Sequence, residues 1–139
     1  MGGVRTIDRK RRGVLTMELV LVLPILLIVL LALVELGTYL LAVQSIQGAA
    51  MAGAREATLP GATSDRVTTA VVNALAGWSY AGQLGANDIQ YVDSSAIDGT
   101  VSVTVSVDAT KAAVNTLALV PGLDLTGKKI TAQFVMRKE

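Results

Sequence analysis

Sixteen consecutive residues, Leu19 to Val34 (LVLVLPILLIVLLALV), carry no charge and no hydrogen-bonding side chain. The apolar character resumes beyond Glu35 with Leu36, Tyr39, Leu40, Leu41 and Val43. As a helix, Leu19 to Val43 would measure roughly 37 Å, enough to cross a hydrocarbon core of ~30 Å with some tilt. Composition agrees: 52% of the 139 residues are hydrophobic and only 17% charged, whereas an average soluble domain is about a quarter charged. The length leaves room for one membrane segment and one small domain.

Charge is distributed unevenly around this run. Residues 1–13 hold Arg5, Arg9, Lys10, Arg11 and Arg12 against Asp8, a net of +4. The remaining residues hold 7 basic and 10 acidic side chains, a net of −3. Lys and Arg beside a membrane segment resist translocation, so Arg9, Lys10, Arg11 and Arg12 are expected to stay cytoplasmic and the rest of the chain to lie outside. A basic cluster also suits nucleic acid. Here the adjoining span gives the charges an orienting role, and no nucleic-acid partner is expected.

The leader differs from a secretory signal, whose apolar core runs about 7–15 residues and is closely followed by a small-residue cleavage site. The apolar stretch here is longer, and Ala52-Gly53-Ala54 lies well past its end. Two other residues stand out. Glu18 sits at the entrance to the apolar run, and Gly13 precedes it by five positions.

Basic residues, Gly13, Val14-Leu15-Thr16-Met17, Glu18 and an apolar helix together resemble the type IV pilin-like signal. The resemblance implies a prepilin peptidase that cuts after Gly13 on the cytoplasmic side. Val14 then becomes the N-terminus, a candidate for methylation, and Glu18 the fifth residue. The chemistry suits the spacing. A carboxylate one turn from the new amine, or on a neighbouring subunit, neutralises it where an unpaired charge is costly. Carboxylates also suit a helix N-terminus.

Arg11 to Gly37, RRGVLTMELVLVLPILLIVLLALVELG, is further similar to the start of the TadE-like family of tight-adherence pilus systems. Pro24 and Glu35-Leu36-Gly37 fit that pattern, with Leu36 where an aromatic is usual. Gly48 to Thr58, GAAMAGAREAT, resembles the family's Ala-rich helical stretch. The resemblance implies a minor pilin-like subunit (pseudopilin) in the bacterial inner membrane, of use in adhesion and biofilm growth. Its implied partners are the prepilin peptidase, other pilins and pseudopilins, the inner-membrane assembly platform and the lipid bilayer. A pseudopilin of a type II secretion system, and an anchored envelope protein with a ligand- or partner-binding outer domain, are the alternatives.

Other residues of the run carry weaker expectations. Pro24 lacks an amide hydrogen, so a kink is expected; membrane helices tolerate it. Glu35 is costly in a bilayer unless it meets a basic residue of a partner or the outer headgroups. Tyr39 fits an interfacial anchor. Gly48, Ala49, Ala50, Ala52, Gly53 and Ala54 permit close helix packing, but read first as an ordinary exposed helix.

The expected fold is α+β: a basic leader (1–13), a long transmembrane and assembly helix (14–58), and a small extracytoplasmic domain (62–139). Pro60-Gly61 ends the first helix, and Ser64 and Asp65 offer N-cap chemistry. Val67, Val71, Ala74, Leu75 and Trp78 recur at helical spacing, predicting a second helix over 65–78. Ile89 to Val92 is a strand candidate. TVSVTVSV, Thr100 to Val107, alternates strictly, with valines inward. Lys111 to Leu119 is helical or loop-like and ends before Pro121-Gly122. Ile130, Ala132, Phe134 and Met136 alternate again. About three antiparallel strands should pack on one helix, in a domain of roughly 80 residues near the lower limit for an independent core.

No enzyme is expected. The chain has no Cys and no His, which excludes thiol nucleophiles, histidine bases, disulfides and Cys/His zinc sites. Asp93-Ser94-Ser95 and Asp98-Gly99 read as turns, and the EF-hand spacing is absent. Gly82 and Gly85 follow no strand and cradle no phosphate. No cofactor or metal is implied.

Overall fold

A computed structural model describes residues 7–85, 87–115, 118 and 124–138, with side chains from Thr16 onward. The chain forms two compact units, Met1–Val34 and Glu35–Glu139. Helix α1, Ile7–Ala57, supplies residues to both. The predicted α+β architecture is observed.

In the first unit every large apolar side chain from Leu19 to Leu30 is exposed. A helix apolar all round has no face that prefers water, and Thr16–Ala57 is long and apolar enough to cross a membrane. The helix runs unbroken through Pro24.

The second unit is built on a three-stranded antiparallel sheet, β1 (Ile89–Ser94), β2 (Thr100–Asp108) and β3 (Lys129–Arg137), in the order β1-β2-β3. The alternation in β2 sets its faces: Val101, Val103, Val105 and Val107 are buried, and the Thr and Ser between them are partly exposed. The register continues the inner face across the sheet. Val105 stands opposite Ile89 and Ala132, and Val103 opposite Tyr91 and Phe134. Cross-strand pairs of this kind, with Cβ atoms about 5 Å apart, stabilise a sheet.

Helix α2, Ser64–Ala74, presents Val67 and Val71 to the same core. Its N-cap is Thr63, whose extended backbone lets its hydroxyl accept from the Arg66 amide. Ser64 and Asp65, expected as caps, already lie inside the first turn. The helix also stops short of the predicted residue 78. Gly77 takes a φ of +100°, a left-handed conformation open to Gly and unfavourable elsewhere. Leu75 remains buried, but Trp78 falls beyond the helix and is 36% exposed.

The stretch expected to be an exposed helix is instead part of the core. Ala42, Ile46, Ala49, Ala50, Ala54 and Ala57 of α1 are buried together with the sheet and α2. They recur every three or four residues and so share one helix face. The sheet therefore packs on two helices, not on α2 alone. A short helix α3, Ala109–Ala112, follows β2. Pro121-Gly122, the expected end of the next segment, lies outside the described residues.

Candidate functional site

Two regions carry functional expectations, one in each unit. In the first unit, Gly13 and Val14 have helical backbone within α1, as do Arg9, Lys10, Arg11 and Arg12; their side chains lie outside the described residues. Gly13 is the weak point of this stretch. Gly costs roughly 1 kcal/mol relative to Ala in a helix interior, so the backbone opens more easily there than at its neighbours. Glu18 is exposed on the helix, with no charged residue between it and Glu35. Pro24 has no amide hydrogen to donate to the carbonyl four residues earlier, at Val20.

In the second unit Glu35 is 7% exposed, and its carbonyl accepts a hydrogen bond from the Thr38 hydroxyl at 2.9 Å. Gly37 is exposed on the helix, with open space where a side chain would begin. Tyr39 is half-buried against the core. Leu36, Leu40 and Leu41 remain exposed.

Two features escape a reading by spacing. The Ser45 hydroxyl and the Tyr80 phenol share a hydrogen bond. It joins α1 to the loop after α2. Ser45 also donates to the Ala42 carbonyl at 2.8 Å. Tyr80 is almost fully buried, and burial raises its phenol above the ordinary value of 10.0. The second feature is a cleft of about 260 Å³ whose walls include Thr38, Leu41, Trp78 and Lys111. The Trp78 and Tyr80 rings pack with centroids 5.7 Å apart. The cleft's residues come from three distant stretches of sequence, so no local pattern announces it. Gly77 was the one available sign that Trp78 leaves the core-facing helix.

Three aspartates of the second unit, one at the end of β1 and two in the connections between elements, are held by hydrogen bonds. Asp93 accepts from the Ser95 amide at 2.9 Å, the Tyr91 hydroxyl at 3.0 Å and Lys138 Nζ at 3.0 Å. Asp98 accepts from the Thr100 amide and hydroxyl. Asp124 accepts from Thr126 and from Asn115 Nδ2. In each, donors hold the charged carboxylate, and the group sits below its ordinary value of 3.8.

Comparison with known proteins places residues 13–55 on the family model of TadE-like protein. The matched segment begins at Gly13 and includes Glu18, Pro24, Glu35 and Gly37. No curated protein and no solved structure matches the chain. The TadE-like segment associates the chain with tight-adherence pilus systems in general.

Proposed function

We propose that this chain is a minor pilin-like subunit of a tight-adherence pilus system, made as a precursor, cut between Gly13 and Val14, and assembled through α1. The observation that carries the reading is the TadE-like match over residues 13–55, on a helix whose apolar side chains are exposed from Leu19 to Leu30.

The mechanism follows from charge. Before cleavage, Arg9, Lys10, Arg11 and Arg12 hold the N-terminus on the cytoplasmic side. Prepilin peptidase hydrolyses the Gly13–Val14 peptide bond, leaving a carboxylate on Gly13 and an amine on Val14. The reduced helix stability at Gly13 helps that segment extend into a peptidase. Removing residues 1–13 takes away a net +4 and leaves one new ammonium. Glu18, four residues on, lies on the same helix face as Val14 and neutralises it, or does so for a neighbouring subunit. The subunit then moves from the bilayer into a filament without carrying an unpaired charge through hydrocarbon. The outer domain is left to make contacts with other pilus components, and the reading assigns no catalysis to the chain.

The test is the intact mass and N-terminal sequence of the protein purified from its native membrane. A chain beginning at Val14 supports the proposal. A chain that keeps residues 1–13 overturns it and makes the protein a permanently anchored envelope protein.

A further inference from the structure

We infer that the cleft between Leu41 of α1 and Trp78 is a seat for a lipid headgroup of the outer leaflet, holding the outer domain against the membrane surface. The inference rests on the reading of α1 as a membrane span.

The cleft lies within the second unit. Thr38 and Leu41 come one and two turns after Val34 on the same helix, and Leu36, Leu40 and Leu41 are all more than half exposed. Of α1, Thr38 and Leu41 line the cleft, together with Trp78, Tyr80, Lys111 and Val114. These residues combine apolar, aromatic and charged side chains. Leu41 and Val114, the latter 49% exposed, suit the upper acyl chains. Trp concentrates at the membrane–water boundary because its ring is largely apolar and carries one polar N–H, and Trp78, unlike the buried Tyr80, is exposed. Lys111 can lay its stem along apolar surface and present its ammonium to a phosphate. Its present partner, Asp108 at 3.4 Å, is an exposed pair that holds it weakly. The core packs immediately beside Trp78, yet 36% of that residue stays exposed. The cleft volume of about 260 Å³ admits a headgroup and glycerol, while a helix or strand of a partner would need a longer groove.

Trp78 is the sole tryptophan of the chain, so tryptophan emission, excited to the red of tyrosine absorption, reports this cleft alone. The full-length chain is reconstituted in phosphatidylglycerol vesicles whose acyl chains are brominated either near the glycerol or near the terminal methyl. Vesicle flotation is recorded on the same samples. The expected result is co-flotation, strong loss of Trp78 emission with bromine near the glycerol, and little loss with bromine at the chain end. Lys111→Gln should weaken that quenching in phosphatidylglycerol, and less so in phosphatidylcholine, whose ammonium offsets its phosphate; quenching in phosphatidylglycerol equal to that of the parent chain would overturn the Lys111 contact. A chain that co-floats while aqueous iodide, and not brominated lipid, quenches Trp78 overturns the inference and leaves the membrane span intact. Protection from both quenchers that grows with protein density would put a second copy in the cleft, which also overturns it. A chain that fails to co-float overturns the span itself.

Discussion

A Cβ atom added to Gly53 would lie 2.6 Å from Cγ2 of Val71 and 3.1 Å from Cγ1 of Val103. Helix α1, helix α2 and strand β2 therefore meet at Gly53, where a side chain would not fit. Val71 and Val103 are β-branched and stiff at χ1, so neither yields easily. Gly53→Ala should destabilise the protein. Overpacking costs about 1–3 kcal/mol, against a helix-propensity gain of at most ~1 kcal/mol. Gly48 is the control, since it has open space around it. Gly48→Ala should stabilise by up to ~1 kcal/mol. Urea unfolding of the full-length chain in detergent micelles reads both. A gain in both variants would show that the three elements do not meet tightly at Gly53.

Tyr80 anchors the loop after α2 by ring burial and by its hydrogen bond to Ser45, and two substitutions separate the contributions. Tyr80→Phe keeps the ring and loses the hydroxyl. Ser45 retains its bond to the Ala42 carbonyl, so no hydroxyl is stranded, and the cost should be about 0.5–1.5 kcal/mol. Tyr80→Ala removes the ring as well and should cost ~3–5 kcal/mol, as other buried aromatics do. Thermal melting would show a small shift for the first variant and a large one for the second. Equal shifts would mean that the hydroxyl pair, and not the ring, holds the loop.

Thr63 caps α2 through a long bond of 3.4 Å from the Arg66 amide. Thr63→Ala should therefore cost near the lower end of the ~0.5–2 kcal/mol seen for cap removal. Ser64→Ala should be close to neutral, because Ser64 is already helical. A larger loss from Ser64→Ala than from Thr63→Ala in the same melts would move the cap.

These particulars show which parts of the fold a sequence carries. The strand β2 was legible because a period of two, sustained over TVSVTVSV, can bury only one set of side chains. The burial of Ala49, Ala50 and Ala54 was not, since an alanine-rich helix forms equally well in solvent and in a core. Only the sheet that packs on it decides which face is covered. The end of α2 was misplaced because the helical period carries on to Trp78, whereas the positive φ of Gly77 breaks it. The cap was expected at Ser64 and Asp65, but Thr63, one residue earlier and also a cap former, takes the role. The cleft at Trp78 depends on tertiary contact between Leu41, Trp78 and Lys111, which no spacing encodes.

Asp93, Asp98 and Asp124 make stability depend on acid. Ser95 chiefly, then Lys138 and Tyr91, lower Asp93; Thr100 lowers Asp98; Thr126 chiefly, then Asn115, lowers Asp124 to about 2. Unfolded, each carboxylate binds its proton near the ordinary value of 3.8. The folded form binds it only at lower pH, so the unfolded chain takes up protons first. Their stabilisation is therefore complete above about pH 5 and is lost as pH falls through about 4 towards 2. The melting temperature should drop across that window, and Asp124→Asn should flatten part of the slope. An unchanged slope in the variant would show that the Thr126 and Asn115 bonds do not favour the charged form.

Glu18 is the residue on which the proposed assembly turns. It is exposed on α1 at the edge of an uncharged run that extends to Val34. A lone carboxylate in that position is costly in hydrocarbon, and the ammonium freed at Val14 would be equally so. In the proposed assembly the two pair, and removing one member of a buried pair costs ~3–5 kcal/mol. Even part of that penalty matters, since about 1.4 kcal/mol is tenfold in affinity. Glu18→Ala should leave membrane insertion intact, because the apolar run is untouched. Cleavage at Gly13 should continue, because the scissile bond is unchanged. Filament yield should fall by roughly tenfold or more. Glu18→Gln keeps the shape and loses the charge, so it should fail to the same degree if neutralisation of the amine is the reason. Membrane fractionation, the mass of the membrane-bound chain and the quantity of shed filament measure the three steps separately. Filaments at wild-type yield from Glu18→Gln would assign Glu18 a packing role, and wild-type yield from Glu18→Ala would remove it from assembly altogether.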